Sequence, residues 1–481
     1  MKVLLVRAPF FASRRKVLLS EPLGLLYLAA ALKEKGVGVS ILDSALIRPR
    51  RTADGFYFGW PGEELERILR SFCPDAVGLT CQGVSSLQGT DLVARTAKSC
   101  LSPDVPVIAG GIYPSVHKAR ILEECPSVDL AFQGESEETF PDFLRRGLPE
   151  RGDLSKIDGL IYRCGGAVKV NPKRHFVQDL DRLPFPARDL VDLEAYMNSG
   201  SVLYGLGSKP TLTILTSRSC SNHCRFCNMW MIHGRSWRPR SPQNVVEEIA
   251  LLVGKYGARH VFVMDDSFAH EPERAKIICR ELIRRRLRFE WNTPHGISLK
   301  HIDLELARLM KRAGCVNVCV GIESGSEWVR NELMGKGLSD AQIVQAISCF
   351  KKAGLPVYGL MLLGYPGETD ARFKESLAFI SRLPLSAISA GFVFPFPGTR
   401  LYDELRAEGV IGEDFKPPLD DFLEPVFAPP GAVIGQLRKR HKMLLKRFYL
   451  SHAGQVVGEL IRGKARWITG RGIKALLGTK S

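Results

Sequence analysis

Three cysteines lie close together in the stretch SRSCSNHCRFCNMW: Cys220, Cys224 and Cys227. Free cysteines are often buried core residues, but Ser, Asn, His and Arg surround these three. A zinc site would take its fourth ligand from His223 or His233, although the spacing lacks the paired knuckles of structural zinc sites. Three thiolates could instead hold a cubane iron–sulfur cluster and leave one iron open to a small molecule, whereas electron-transfer clusters take four cysteines. The spacing and the polar surroundings favour the iron–sulfur cluster.

The cysteines follow a short apolar strand that opens a block of alternating strands and helices, residues 209–410. The strands of this block are predicted at 211–217, 260–264, 288–292, 316–320, 357–364 and 388–394. Helices are predicted between them at about 241–255, 272–286, 303–313, 338–353 and 370–383. Repeated β–α units predict an α/β fold, a partial (β/α)6 barrel related to the TIM barrel, with its site at the carboxyl ends of the strands.

Residues 1–147 show the same alternation ahead of the barrel. Their strands are predicted at 2–7, 38–42, 75–80, 105–111 and 128–132. Apolar strands between amphipathic helices indicate a parallel sheet covered on both faces. The pattern therefore predicts a flavodoxin-like, doubly wound domain, whose ligand lies beyond the carboxyl ends of the strands. Residues 148–208 are predicted to be a linker with a small hairpin that turns at Gly165 and Gly166.

The composition is that of a globular protein, with 45% hydrophobic and 25% charged residues. No apolar run reaches the roughly 18 residues of a membrane-spanning helix. Twelve cysteines without a paired framework suit a reducing compartment, so we expect a cytoplasmic protein. The net charge of +16 is concentrated in the C-terminal extension, residues 411–481, because 433–481 contains 12 Lys and Arg and one acidic residue.

This extension places Leu437, Leu444 and Phe448 at helical spacing among basic residues, and residues 456–468 repeat the arrangement. One interpretation is a terminal helix that packs on the barrel and exposes a basic face. The other is an interfacial helix at an anionic membrane surface, which would bring the protein peripherally to the membrane and to a lipid-like substrate. A nucleic-acid partner is not expected, because the extension contains no recognition module.

The cysteine motif resembles the signature of the radical S-adenosylmethionine (radical SAM) enzymes, C-x3-C-x2-C with an aromatic residue before the last cysteine, here Phe226. The resemblance implies that Cys220, Cys224 and Cys227 bind a [4Fe-4S] cluster whose open iron binds SAM. One electron from the cluster, supplied by a donor such as ferredoxin or flavodoxin, would then cleave SAM to a 5′-deoxyadenosyl radical.

Three later segments resemble the SAM-binding segments of this family. VMDDSF ends the second strand, where the family has Gly-Gly-Glu to hold the methionyl amine. VGIESGSE ends the fourth strand and would meet the ribose or the methionine carboxylate of SAM. LLGYPGET ends the fifth strand and would meet the adenine. Each segment alone is equally compatible with a capped helix start, so the assignment depends on their order after the cysteines. The SAM-binding residues implied are Phe226, Asp265, Asp266, Glu323, Ser324, Gly364 and Pro366.

A doubly wound domain ahead of such a barrel resembles the cobalamin-binding class of radical SAM enzymes. The cobalamin-binding residues that this resemblance implies are Thr80, Gly110, Gly111, Pro114, Gly134 and Glu135. The sequence departs from other cobalamin proteins because it lacks the Asp-x-His-x-x-Gly motif, so cobalt would have no histidine ligand on its lower face. The alternative is a degenerate domain that binds nothing, since a fold alone does not imply a ligand.

The resemblance implies a C-methyltransferase acting on an unactivated carbon of a hydrophobic or lipid-like small molecule. One SAM would methylate cobalamin and a second would generate the radical that activates the substrate. The first alternative keeps the cofactors but catalyses an oxidative cyclisation or rearrangement. The second is a cobalamin- and redox-sensing protein without turnover. No catalytic residue beyond the cofactor ligands can be assigned from the sequence.

Overall fold

The computed structural model describes residues 1–15, 17, 19–53, 55–145, 153–197, 209–412, 415 and 423–454. The chain divides into two compact units. The first comprises Met1–Tyr196 together with Asn228–Arg238, and the second comprises Met197–Cys227, Pro239–Phe415 and the C-terminal segment. The boundary between Cys227 and Asn228 therefore assigns the residues after the last cysteine of the motif to the N-terminal unit.

The N-terminal unit contains a seven-stranded sheet. Its five parallel strands are Lys2–Arg7, Gly38–Asp43, Ala76–Thr80, Val107–Gly110 and Leu130–Phe132. Numbered along the chain, they stand in the order 2-1-3-4-5, which is the flavodoxin-like order. The hairpin Leu160–Cys164 and Ala167–Val170 is present and adds two antiparallel strands beside Leu130–Phe132.

Helices cover both faces of this sheet. One face packs against Gly62–Phe72 and Val84–Cys100, around Leu4, Val6 and Val77. The other face packs against Leu23–Glu34 and Thr139–Arg145. Further helical segments among the described residues are Ser44–Leu46, Ile112–His117, Arg120–Glu124, Leu154–Lys156, Leu180–Arg182, Arg188–Leu190, Leu193–Met197 and Met229–His233. Burial on both faces explains why the strands read as continuous apolar runs.

An accessory antiparallel sheet was not expected from the sequence. It consists of Phe10–Ala12, Arg50–Thr52 and Gly55–Phe58. Phe10 and Phe58 stack across it, with ring centroids 4.8 Å apart. Strands of three or four residues give too short an alternation to be recognised from the sequence.

The second unit is built on six parallel strands that follow one another in chain order. They are Thr211–Ile214, His260–Val263, Glu290–Thr293, Cys315–Glu323, Val357–Leu363 and Ala387–Phe392. The helices are Pro242–Gly254, Pro272–Arg284, Leu304–Arg312, Asp340–Lys352, Asp370–Ile380 and Arg400–Ala407, with a π-helical turn at Val329–Leu333. Most begin at a side-chain cap, such as Ser241, Ser339 or Thr369. The predicted partial barrel is therefore confirmed.

The C-terminal helix Ile434–Ser451 packs on the barrel. Leu437, Leu444 and Phe448 are buried, and the helix contacts the last two strands and helix Asp370–Ile380. The apolar side of this helix is therefore used within the protein, as in the first of the two interpretations above. Residues 456–468 lie outside the described part of the chain. No helix among the described residues is long and apolar enough to cross a membrane.

Candidate cluster and cofactor site

The three cysteines of the motif lie in the loop that follows the first barrel strand. They form no disulfide and are partly exposed, whereas six of the other cysteines are buried. Ser219 adopts a left-handed conformation with φ +70° just before the first cysteine. The backbone N–H of Cys227 donates to the Cys224 carbonyl at 3.1 Å, which closes a turn around Phe226. The loop therefore folds back on itself and keeps its thiols out of the core.

The barrel holds this loop at several points. The backbone N–H of Arg225 donates to the Met334 carbonyl at 2.9 Å, and its own carbonyl accepts from Leu401 N–H at 3.0 Å. Lys300 Nζ donates to the side-chain oxygen of Asn222 at 2.8 Å. Phe226 packs against an apolar cluster of the barrel that includes Tyr365 and Leu401. Phe226 therefore anchors the cysteine loop to the barrel.

A lysine that the sequence did not suggest lies beside the cysteines. Lys336 Nζ is 2.7 Å from Glu323 Oε1, and both side chains are largely buried. Desolvation raises the pKa of the Cys220 and Cys224 thiols, and the charge of Lys336 acts in the opposite direction on both. Burial favours neutral Lys336, but Glu323 and Cys224 outweigh it and raise the pKa of the ammonium. The site therefore holds a fixed positive charge close to the thiols.

Glu323 itself has a strained backbone. Its φ is +63°, a left-handed conformation that costs a residue with a side chain roughly 1 kcal/mol or more. The pairing with the neighbouring strand shifts register between Gly321 and Glu323. A Cβ at Gly321 would stand 2.5 Å from Glu323 Oε1 and 3.0 Å from Lys336 Nζ. The carboxylate thus folds back over its own strand end to meet the lysine.

The two predicted aspartates face different surroundings. Asp265 is buried, and its carboxylate accepts from the Thr216 N–H at 2.6 Å, the Thr216 hydroxyl at 2.5 Å and the Ser217 hydroxyl at 2.6 Å. It therefore fixes the segment that leads into the cysteine loop. Asp266 is partly exposed, and its charge acts on Cys220 and on His295. Asp266 is thus the aspartate on the cysteine side.

The other predicted SAM-binding residues lie at the ends of the fourth and fifth strands. The Ser324 hydroxyl is buried and lies 3.0 Å from the Ser376 hydroxyl, so it faces a helix of the barrel. Gly364 has φ +79°, and a Cβ there would lie 3.3 Å from Leu437. Pro366 is partly exposed in the same turn.

The residues present fit a three-thiolate cluster with SAM beside it. The three cysteines form no disulfide and are partly exposed, cations lie close by, and polar strand ends surround them. Among the described residues, no three His, Cys, Asp or Glu side chains converge on one metal ion. In a cubane, each thiolate binds a different iron. His233, one of the two histidines considered for zinc, instead places Nδ1 3.1 Å from Glu135.

The predicted cobalamin residues come together at the carboxyl ends of three adjacent strands. Gly111 has φ +101°, and a Cβ there would meet the Cys81 carbonyl and the Thr80 hydroxyl at 2.8 Å. Ser115 ties two of the loops, because its hydroxyl donates to the Gly111 carbonyl at 2.7 Å and accepts from Gly134 N–H at 2.8 Å.

Gly110 and Pro114 belong to the same group of loops. A Cβ at Gly110 would meet nothing within 4 Å, so a flat ligand can approach the backbone there. Pro114 lies buried in the first turn of the short helix that follows. The loops therefore fit a cobalamin ligand through backbone and small side chains.

The side chain of Glu135, next to Gly134, forms its contacts within the protein. Its carboxylate is nearly inaccessible and meets Arg238 at 2.7 and 2.9 Å. It also accepts from Val177 N–H at 3.0 Å and lies 3.1 Å from His233 Nδ1. Helix Met229–His233 and the residues after it are thereby fastened within the N-terminal unit. Any contact of Glu135 with cobalamin would come from its backbone.

A doubly wound domain followed by a partial barrel, with three cysteines in the loop after the first barrel strand, is the arrangement of a radical SAM enzyme with a cobalamin-binding domain. Residues 214–380 match the Radical SAM superfamily, and residues 17–144 match the B12 binding domain. An uncharacterized methyltransferase of Pyrococcus horikoshii, PH0819, is 30% identical over 413 residues, which are 85% of this chain and 84% of that protein.

Two further methyltransferases are similar to this chain. The cytidylyl-2-hydroxyethylphosphonate methyltransferase of Streptomyces wedmorensis is 27% identical and covers 81% of this chain and 78% of its own length. The structure of TsrM from Kitasatospora setae, a radical SAM methyltransferase with cobalamin and a [4Fe-4S] cluster bound, has a TM-score of 0.67 at 21% identity and covers 89% of this chain and 82% of that one. The chain belongs to the cobalamin-binding radical SAM family, and its relatives include both methyltransferases and anaerobic magnesium-protoporphyrin IX monomethyl ester cyclases.

Proposed function

We propose that the protein is a cobalamin-dependent radical SAM C-methyltransferase that acts on an unactivated carbon of a hydrophobic or lipid-like small molecule. The observation that carries this proposal is the loop that brings together three partly exposed cysteines, Cys220, Cys224 and Cys227, close to the charged pair Lys336–Glu323. When bound, the cluster supplies an electron for SAM cleavage and cobalamin carries the methyl group.

Each group of residues has a defined task in this proposal. The three thiolates would hold the cluster, and Phe226 fixes their loop on the barrel. Asp266 and Glu323 supply carboxylates on the cysteine side for the amine and the ribose of SAM. Asp265 and Ser324 would stabilise these strand ends, because their side chains form hydrogen bonds to other groups of the protein. Gly364 and Pro366 present backbone to the adenine.

Cobalamin would bind at the loops of the N-terminal unit. Gly110 leaves its backbone uncovered, and Gly111 allows the close approach of Thr80 and Cys81. Thr80 and Gly134 flank these glycines at the neighbouring strand ends. Pro114 orients the turn that follows Gly111. We propose that Glu135 serves this site only by fixing its loop through Arg238.

The outer side of helix Ile434–Ser451 supports a peripheral contact with an anionic membrane surface. Its exposed residues include Arg438, Lys439, Lys442, Lys446 and Arg447, together with Met443 and Leu450. Each Lys or Arg near such a surface contributes about 1 kcal/mol. We expect full-length protein to sediment with anionic liposomes at low salt and not at high salt. Equal recovery in the supernatant with anionic and neutral liposomes would contradict this contact.

The decisive test of the activity is transfer of labelled methyl groups. Cells given methyl-labelled methionine under anaerobic conditions should contain a labelled metabolite or lipid that a deletion strain and a Cys224→Ala strain lack. A product that depends on the protein but carries no label would favour oxidative cyclisation or rearrangement. Scattered cysteines that form no disulfide support a cytoplasmic location, where ferredoxin or flavodoxin would supply the electron.

A further inference from the structure

The C-terminal helix Ile434–Ser451 closes the outer side of the turn that follows the fifth barrel strand. A Cβ at Gly364 would lie 3.3 Å from one methyl group of Leu437 and 3.5 Å from the other. Leu437 is buried. The backbone at Gly364 therefore has protein on one side, and only its other side is left for a ligand.

Arg440 lies about one turn further along the same helix, and its guanidinium binds residues 368–370, just after Gly364. One guanidinium nitrogen donates to the Glu368 carbonyl at 3.3 Å and lies 3.7 Å from Glu368 Oε2. The other donates to Asp370 Oδ1 at 2.7 Å. The guanidinium also lies over the ring of Phe373, 5.3 Å from its centroid. Arg440 thus fastens the helix to both ends of a three-residue segment.

Glu368 carries this connection back to the strand end. Its side chain is 2% exposed, beside an Arg440 side chain that is 9% exposed. Its carboxylate accepts a hydrogen bond from the Gly364 N–H, and its own backbone N–H donates to the Tyr365 carbonyl at 3.1 Å. A chain of contacts therefore leads from Arg440 through Glu368 to Gly364.

We propose that Arg440 is a positioning residue for SAM, acting through Glu368 on the backbone of Gly364, and that the C-terminal helix is a wall of the SAM site. This inference rests on the proposed contact of Gly364 with the adenine. A buried charge that loses its partner is costly, so removal of Arg440 must change the position or the charge of Glu368. Small displacements of a positioning segment are enough to weaken a bound ligand.

The test uses the full-length protein with its cluster reconstituted anaerobically, and SAM affinity is measured by equilibrium dialysis. Arg440→Met should weaken SAM binding about tenfold, with iron content and retained hydroxocobalamin unchanged. Arg440→Lys should restore part of the loss. Arg284→Met, which removes an arginine from an exposed pair with Glu281, should bind SAM as the wild type does. An Arg440→Met protein with full iron content and unchanged SAM affinity would overturn the proposal.

A second variant protects the test against a folding defect. The comparison is made at pH 8, above the Glu368 pKa of about 7. There Glu368→Gln keeps the shape of the side chain and removes the charge that Arg440 meets. Combined with Arg440→Met, it should add little further loss of SAM affinity, because both act on one path. Fully additive losses would contradict the path. If wild-type protein with a complete cluster bound no SAM, the proposed SAM site itself would fail, whereas normal wild-type binding with unaffected variants would reject only the role of Arg440.

Discussion

Lys336 Nζ lies 2.7 Å from Glu323 Oε1 at the carboxyl end of the fourth barrel strand, close to the cysteine loop. The Met334 carbonyl accepts from Arg225 N–H, so the turn that carries the lysine is attached directly to that loop. A positive charge in this place stabilises the reduced state of a bound cluster, because reduction adds negative charge.

Replacing Lys336 by Met should therefore make the reduction potential of the cluster more negative. The expected shift is on the order of 50 mV, since a unit charge is removed from a largely buried position and Glu323 loses its partner. Lys336→Arg should shift the potential less, and the exposed Lys311→Met should not shift it. Redox titration followed by electron paramagnetic resonance measures these potentials. A Lys336→Met potential equal to that of the wild type would contradict the assigned role.

Arg238→Met should destabilise the protein strongly, because it leaves the buried carboxylate of Glu135 without its bidentate partner. Breaking a buried pair in this way costs about 3–5 kcal/mol. Arg70→Met removes an exposed pair with Glu66 and should cost less than about 1 kcal/mol. Urea unfolding compares the two variants, and the double variant Glu135→Gln, Arg238→Met should recover part of the loss. Equal unfolding midpoints for Arg238→Met and Arg70→Met would show that the pair contributes little.

Glu368 should make stability depend on pH in a direction opposite to that of most carboxylates. Burial raises the pKa of Glu368 from 4.5 to about 7, although Arg440 and the Gly364 N–H oppose this. Below about pH 4.5 both states carry the proton; between 4.5 and 7 only the folded state keeps it. Stability falls as the pH rises through this window.

Glu368→Gln should remove that decline. Between pH 5 and pH 8 the wild type should lose roughly 2–3 kcal/mol relative to this variant, while the exposed Glu64→Gln should follow the wild type. The measurement is the urea midpoint at each pH. Parallel pH profiles for wild type and Glu368→Gln would show that Glu368 is not buried as a neutral acid.

Bound cobalamin should have no histidine ligand from the N-terminal domain. His117 is the histidine of residues 1–147, and its ring stacks on Tyr113 with centroids 4.2 Å apart. His117→Ala should therefore leave the absorption spectrum of retained hydroxocobalamin and the paramagnetic resonance of its Co(II) form unchanged. Loss of a nitrogen hyperfine pattern in that variant would identify His117 as a cobalt ligand.

The sequence predicted the parallel strands of both units because most of them are apolar runs between amphipathic helices, and it placed the cysteines in the correct loop. It did not distinguish the buried Asp265 from the partly exposed Asp266, because the sequence does not show which of two neighbouring aspartates in a turn points inward. It missed Lys336, which comes from a turn after a π-helical segment and not from a strand end. Pairs such as Glu135–Arg238 join residues about a hundred positions apart, and no local pattern announces them.

If Cys220, Cys224 and Cys227 hold a cluster that cleaves SAM, iron content and SAM cleavage must depend on them together. Anaerobically reconstituted wild-type protein is analysed for bound iron and, after reduction in the presence of SAM, for 5′-deoxyadenosine. We expect about four irons per chain and release of 5′-deoxyadenosine, with both abolished in Cys224→Ala. Stoichiometric zinc without iron in wild-type protein, or undiminished 5′-deoxyadenosine from Cys224→Ala, would contradict it.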